Sequence, residues 1–226
     1  MVGLMEIQVN ESSRVSALWQ APAQALACYV FAHGAGAGMG HPFMQSMADE
    51  LGARGIATLR YQFPYVERGS RRPDPPELCH ATVRAAVLKA AELAPTLPCF
   101  AGGKSFGGRM TSQAQATSPL PGVRGLIFLG FPLHPAGRPS DARGQHLSEV
   151  RIPMLFLQGT RDDLADLSLL QPLIERLGSR ATLRLFQDAN HSYHARASAG
   201  VTDAEFRSRL AQQLADWVRS VLEASR

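Results

Sequence analysis

The spacing of apolar positions changes several times along this chain, and each change predicts an element. Leu4 to Val9 and Ser13 to Trp19 alternate polar and apolar, as in a half-exposed edge hairpin. Ala25 to Ala32 (ALACYVFA) is continuously apolar and reads as a buried strand running into the glycine-rich stretch from His33 to Gly40. His41-Pro42 to Arg54 reads as a helix with Phe43, Met44, Met47, Ala48 and Leu51 on one face, closed by Gly55. Ile56 to Tyr61 is the next buried strand, and a long Pro/Arg-rich loop from Gln62 to Pro76 follows it. Glu77 to Leu93 is an amphipathic helix expected to turn Leu78, Val83, Val87 and Leu88 inward. The run Cys99-Phe100-Ala101 leads through a glycine-rich turn into a helical segment from Arg109 to Ala116. Val123 to Leu129, Ile152 to Leu157 and Ala181 to Phe186 are further strands, and Leu167 to Leu177 is helical. Asp203 to Leu222 closes the pattern with Phe206, Leu210, Leu214, Trp217 and Val218 on its core face.

Strands alternating with helices imply an α/β architecture, one mostly parallel sheet with helices on both faces. No repeat or linker divides the pattern, so residues 1–226 are expected to form a single domain. Ligands of such sheets bind at the carboxyl ends of the strands. The turns at His33, Ser105, Gly159–Asp162 and His191 all follow strands directly and should converge on one edge.

The turn after Cys99-Phe100-Ala101 reads Gly102-Gly103-Lys104-Ser105-Phe106-Gly107-Gly108. Gly103-x-Ser105-x-Gly107 has the form of a nucleophile elbow, a sharp strand-to-helix turn whose neighbours must be small. Gly103-Lys104-Ser105 also imitates the end of a phosphate-binding loop, but the first glycine of that motif would fall on Pro98, so that reading fails. A serine hydroxyl is a poor nucleophile without a base, and the base needs a carboxylate to fix its tautomer. Asp162 and His191 supply these types in the order Ser–Asp–His, each where a strand ends. Asp163 and Asp166 stand beside Asp162, and His194 beside His191; the G-x-x-D spacing from Gly159 favours Asp162. His33 is expected to hold the glycine loop in shape. Lys104, in the variable position of the elbow, is expected to be solvated or paired, while His80, His134 and His146 read as surface or loop histidines.

With these residues in place the chain resembles the α/β-hydrolase superfamily over nearly its whole length, nearest to the small, lidless dienelactone-hydrolase-like group. More narrowly, HGAGAGMGHPFM, RYQFPY, GGKSFGGRM and QGTRD are similar to the family related to the KAT8-regulatory and testis-expressed α/β-hydrolase-like proteins. The resemblance implies Ser105 as nucleophile, Asp162 as the acid and His191 as the base. It implies an oxyanion hole from the backbone amide of Phe106, with the second amide from the His33-Gly34-Ala35 loop, at Ala35. Dienelactone hydrolases proper use a cysteine nucleophile, and the serine here departs from them. The activity implied is hydrolysis of esters, lactones or thioesters through an acyl-enzyme, without metal or organic cofactor. Some relatives act instead as interaction modules on the same fold.

Between Ser105 and Asp162 there is room for one helix, one strand and an excursion around Phe131–Leu147, so no full lid domain fits. An open site suits a small-molecule ester, and Phe63, Tyr65, Met110, Phe131 and Pro132 are the candidate pocket walls. Net charge is +4 with dispersed arginines, which does not indicate nucleic-acid binding. The cluster Arg68, Arg71 and Arg72 is a solvated face or a greeting for an anionic substrate. No apolar stretch reaches the roughly 20 residues that cross a bilayer, so no membrane association is expected. No signal peptide is visible, and Cys28, Cys79 and Cys99 match no metal pattern. The expectation is a cytoplasmic monomer or homodimer.

Overall fold

The computed structural model describes residues 2–195 and 200–224. Eight strands form one sheet in the order β1-β2-β4-β3-β5-β6-β7-β8. They are β1 (Val2–Asn10), β2 (Ser13–Gln20), β3 (Ala27–Ala32), β4 (Ile56–Tyr61), β5 (Cys99–Lys104), β6 (Val123–Leu129), β7 (Met154–Gly159) and β8 (Ala181–Phe186). The β1–β2 hairpin and the β2–β4 pair are antiparallel, and β4, β3, β5, β6, β7 and β8 run parallel to one another.

The continuous apolar runs have the reason expected of parallel strands, burial on both faces. In β3, Cys28, Val30 and Ala32 face one core, while Ala27, Tyr29 and Phe31 face the other. The first core is closed by α3 (Pro76–Leu93), α4 (Phe106–Thr117) and α5 (Leu167–Leu177), through residues such as Val83, Met110 and Leu173. The second is closed by α1 (Pro42–Gly52) and α6 (Asp203–Glu223), through Met44, Met47, Leu51, Phe206, Leu210 and Leu214. Thr202 caps α6 in a reciprocal capping box with Glu205.

Several boundaries differ from the sequence pattern. Pro64 fixes the first helical position of a short turn, α2 (Pro64–Glu67), inside the stretch expected to be loop. The helix after Ser105 begins at Phe106 without a spacer, three residues before the expected start. Leu88 points outward and is 53% exposed, because the inward positions of α3 are taken by Val83, Ala86, Val87 and Ala90. Between β6 and β7 the chain adds only a 3₁₀ segment, Ala142–Glu149, and no lid domain covers the carboxyl edge among the described residues. Among the described residues no helix is long and apolar enough to cross a membrane.

Candidate active site

Ser105 lies between the last residue of β5 and the first of α4, with φ 50° and ψ −116°. A side chain other than glycine's rarely adopts such angles, and the surrounding structure must hold them. That support comes from close packing against the end of β3. A Cβ built at Gly103 would stand 2.4 Å from the Ala32 carbonyl oxygen, and one at Gly107 would stand 2.6 Å from that of His33. The two glycines of the motif are required because backbone touches backbone on both sides of the serine.

The Ser105 hydroxyl donates to His191 Nε2 at 2.8 Å, and His191 Nδ1 lies 2.7 Å from Asp162 Oδ2. An ionised carboxylate only accepts, so Nδ1 carries the ring proton and Nε2 is left free to accept. The Asp162 side chain is fully buried. It also accepts from Gln158 Nε2 at 2.5 Å and from the Leu164 amide at 2.9 Å. Gln158 in turn accepts from the Phe131 amide, so it ties the carboxylate to the loop after β6. Sequence reasoning missed Gln158; the signal was one amide side chain ending an otherwise apolar strand. The neighbouring alternatives have other work. Asp166 caps α5 by accepting from the Ser168 amide, and His194 pairs with Asp203.

His33 is buried, with Nδ1 2.8 Å from the Gly34 carbonyl and Nε2 accepting from the Phe63 amide at 3.2 Å. One donor and one acceptor suit a neutral ring, and burial pushes its pKa down to about 4. The glycine loop is held further along, where the Tyr65 hydroxyl donates to the Ala35 carbonyl at 2.8 Å. The Ala35 and Phe106 amides have no acceptor among the described residues. The Phe106 amide is the first of α4, where the helix dipole adds partial positive charge.

Ser105 and His191 open into a cleft of about 650 Å³ walled by Ala35, Pro42, Phe43, Met44 and Tyr193, with Lys104 also at its surface. The Phe43 and Tyr193 rings stack at 5.9 Å. This corrects the expected walls, since none of Phe63, Tyr65, Met110, Phe131 or Pro132 lines the cleft. All five are buried. Pro64 turns the chain inward, so Phe63 and Tyr65 pack with Phe106 and His33. Phe131 folds onto Phe128 and Phe156, Met110 faces the first core, and Pro132 is carried in beside Phe131. Arg68 pairs with Asp74, which removes it from the cluster read as a greeting for anions. His134 is buried rather than at the surface, its Nε2 accepting from the Asp166 amide at 2.9 Å. Among the described residues no group of three or more His, Cys, Asp or Glu could hold a metal ion.

A family model described as an alpha/beta hydrolase domain matches residues 25–219. Among solved structures, the fold is similar to a dienelactone hydrolase from Anabaena variabilis, with TM-score 0.78 and 20% identity over 97% of each chain. It is also similar to a lidless α/β serine hydrolase from Xanthomonas campestris, with TM-score 0.73 and 19% identity over 96% of this chain and 94% of that one. The esterase domain of a Rhodothermus marinus protein aligns with TM-score 0.72 and 18% identity over 97% and 98% of the two chains. At these identities the likeness is one of fold.

Two outcomes follow from this packing. Gly103→Ala is expected to lose about 1–3 kcal/mol of stability and about a hundredfold in reactivity at Ser105, read by urea melts and by labelling with a serine-directed phosphonate. Acidification should weaken the fold through His33. Between its ordinary value of 6.5 and about 4, the unfolded chain binds a proton that the native ring refuses. Stability therefore falls as pH drops through that window, by up to about 1.4 kcal/mol per pH unit for this ring. Urea midpoints across the window should show the decline, and His33→Asn should flatten it.

Proposed function

The chain belongs to the α/β-hydrolase domain family, and from that membership we propose that it is a serine hydrolase cleaving small ester, lactone or thioester bonds. The observation that carries the proposal is the unbroken hydrogen-bonded chain from Ser105 through His191 to Asp162 at the edge of an open cleft. Ser105 attacks the substrate carbonyl carbon as its proton passes to His191 Nε2. The resulting imidazolium is stabilised by Asp162, which stays ionised. The carbonyl oxygen becomes an oxyanion between the Phe106 and Ala35 amides, and each such donor typically contributes about 2.7–4 kcal/mol to lowering the barrier. The leaving alcohol or thiol takes the proton from Nε2, and an acyl-Ser105 ester remains. Water then attacks that ester, gives its proton to Nε2, and the acid departs as Ser105 is reprotonated.

The cleft is apolar on the α1 side and has no lid, which supports a small, water-soluble acyl substrate over a long-chain lipid. The narrower kinship with the KAT8-regulatory and testis-expressed hydrolase-like proteins belongs to the same proposal. It is supported by the matching stretches around His33, Tyr61, Ser105 and Gly159.

Incubation with a fluorophosphonate and assay on p-nitrophenyl acetate and butyrate test this reading. The expected result is an adduct mapped to Ser105 and esterase turnover, both abolished in Ser105→Ala. In Asp162→Asn, kcat should fall on the order of 10⁴-fold with labelling slowed in parallel. Absence of label and of turnover in folded wild-type protein would overturn the proposal in favour of an interaction module.

A further inference from the structure

Lys104 is the one charged side chain built into the elbow. It leaves the end of β5 alongside Ser105, and its stem passes the glycine loop, with Cγ 3.7 Å from where a Cβ would stand at Gly34. Its ammonium donates to the main-chain carbonyl oxygen of His191 at 2.7 Å. The same ammonium faces the Tyr193 ring, 5.6 Å from its centroid. Gly130 marks how tightly these groups converge. A Cβ there would stand 3.2 Å from Lys104 Nζ and 3.4 Å from both His191 Cε1 and Nδ1. A residue with a side chain at position 130 would separate the lysine from the imidazole. Burial pushes the Lys104 pKa down to about 8, and the Asp162 charge opposes that fall.

We propose that Lys104 is a positioning residue for His191, clamping the main chain of the base and setting a positive charge beside its ring. The inference rests on the hydrolase reading for its consequences in catalysis. Its structural content, the influence of Lys104 on the His191 ring, stands independently of it.

The clamp acts where the loop needs it. Tyr193 has φ 61°, an unfavourable backbone conformation that requires support from its surroundings. Around it, Asn190 Oδ1 accepts from the amides of Ser192 and His194, and the Tyr193 hydroxyl donates to the Leu157 carbonyl. These bonds shape the loop after His191. The lysine holds the carbonyl of His191 itself, 87 residues away in sequence.

The charge has a second effect. A protonated Nε2 cannot accept from Ser105, so a proton on the resting ring would break the relay. The Lys104 cation, near the Nδ1–Cε1 edge of the ring, disfavours that proton. The other charged or titratable groups near the ring are Tyr193, whose phenol burial keeps protonated, and, at the cleft surface, His41, His194, Asp203 and Arg207. Asp203 is engaged by His194.

The test compares wild type with Lys104→Met, which keeps the stem and removes donor and charge. The first readout is the His191 ring signal followed by NMR across pH, assigned by its loss in His191→Ala. Removing the cation should move the ring's titration midpoint up by about one pH unit. The second is kinetic: kcat should fall about tenfold to a hundredfold with KM nearly unchanged, and the acidic limb of kcat/KM should move up with the ring.

Alkylation of Lys104→Cys in the folded state provides the rescue. Bromoethylamine restores an ammonium at nearly the lysine's length, and propyl iodide restores only bulk. The native thiols do not compete, since Cys28, Cys79 and Cys99 are buried, and burial pushes Cys79 and Cys99 up to about 12. The aminoethylated protein should recover kcat and the wild-type ring titration, and the propylated one neither. This comparison also serves if Lys104→Met does not fold.

An unmoved ring titration in Lys104→Met or in the propylated protein, or equal recovery with both alkyl groups, overturns the proposal. Failure of the hydrolase reading shows separately, as absence of phosphonate labelling in the wild type with the ring shift still present.

Discussion

The constraint on which this site depends is the contact between the β5–α4 turn and the end of β3. There the Gly103 and Gly107 backbones lie where even one methyl group would collide with the Ala32 or His33 carbonyl. Parallel pairing of β3 with β5 aligns Ala32 with Gly103 and so brings the glycine loop to the serine. It brings the glycine loop against the elbow, where a Cβ at Gly34 would stand 3.8 Å from that of Ser105. The same packing holds Ser105 in its strained conformation, since relaxing φ would swing the helix off the first core. Backbone contact, sheet register and serine geometry are therefore one condition rather than three.

A second order is imposed on the charges. Asp162 is buried with three hydrogen bonds to its two oxygens, and every donor comes from a different part of the frame: Gln158 on β7, the Leu164 amide in the following turn, and His191 after β8. A buried carboxylate needs such partners in place of water. Gln158 is spent on both sides, donating to the carboxylate and accepting from the Phe131 amide. His33 solves the corresponding problem at the glycine loop by remaining neutral and using one nitrogen as donor and the other as acceptor. Asp162, Gln158 and His33 thus tie separate segments together inside an apolar layer.

What could be read from the chain follows from what backbone geometry demands of composition. Continuous apolar runs located β3, β6 and β7 because both of their faces are buried. The glycines around Ser105 were legible because the turn tolerates nothing larger. Asp162 and His191 could be proposed because each ends a strand on the same sheet edge, and the structure joins them to Ser105 by hydrogen bonds. The turn of α2 was not visible, since Pro64 is equally at home in a loop. Leu88 misled for a related reason: a helix with alanines on its buried face can carry a leucine outward without disturbing the period.

The cleft walls were the least legible part, and the reason reaches beyond this chain. Phe63 and Tyr65 follow a strand at the active edge, as a wall residue would, yet Pro64 turns them under the glycine loop. Tyr65 still serves the site from below, by holding the Ala35 carbonyl. The rings that do face the cleft, Phe43 and Tyr193, belong to α1 and to the loop before α6, and they meet only because both pack on the same side of the sheet. A wall made by distant segments leaves no local pattern, whereas a nucleophile on a strained turn must. Reaction chemistry is therefore written in short motifs that the fold requires, and substrate preference in long-range contacts that it merely permits. This is why membership of the α/β-hydrolase domain family carries an expectation about the Ser105 hydroxyl and none about the acyl group it would receive.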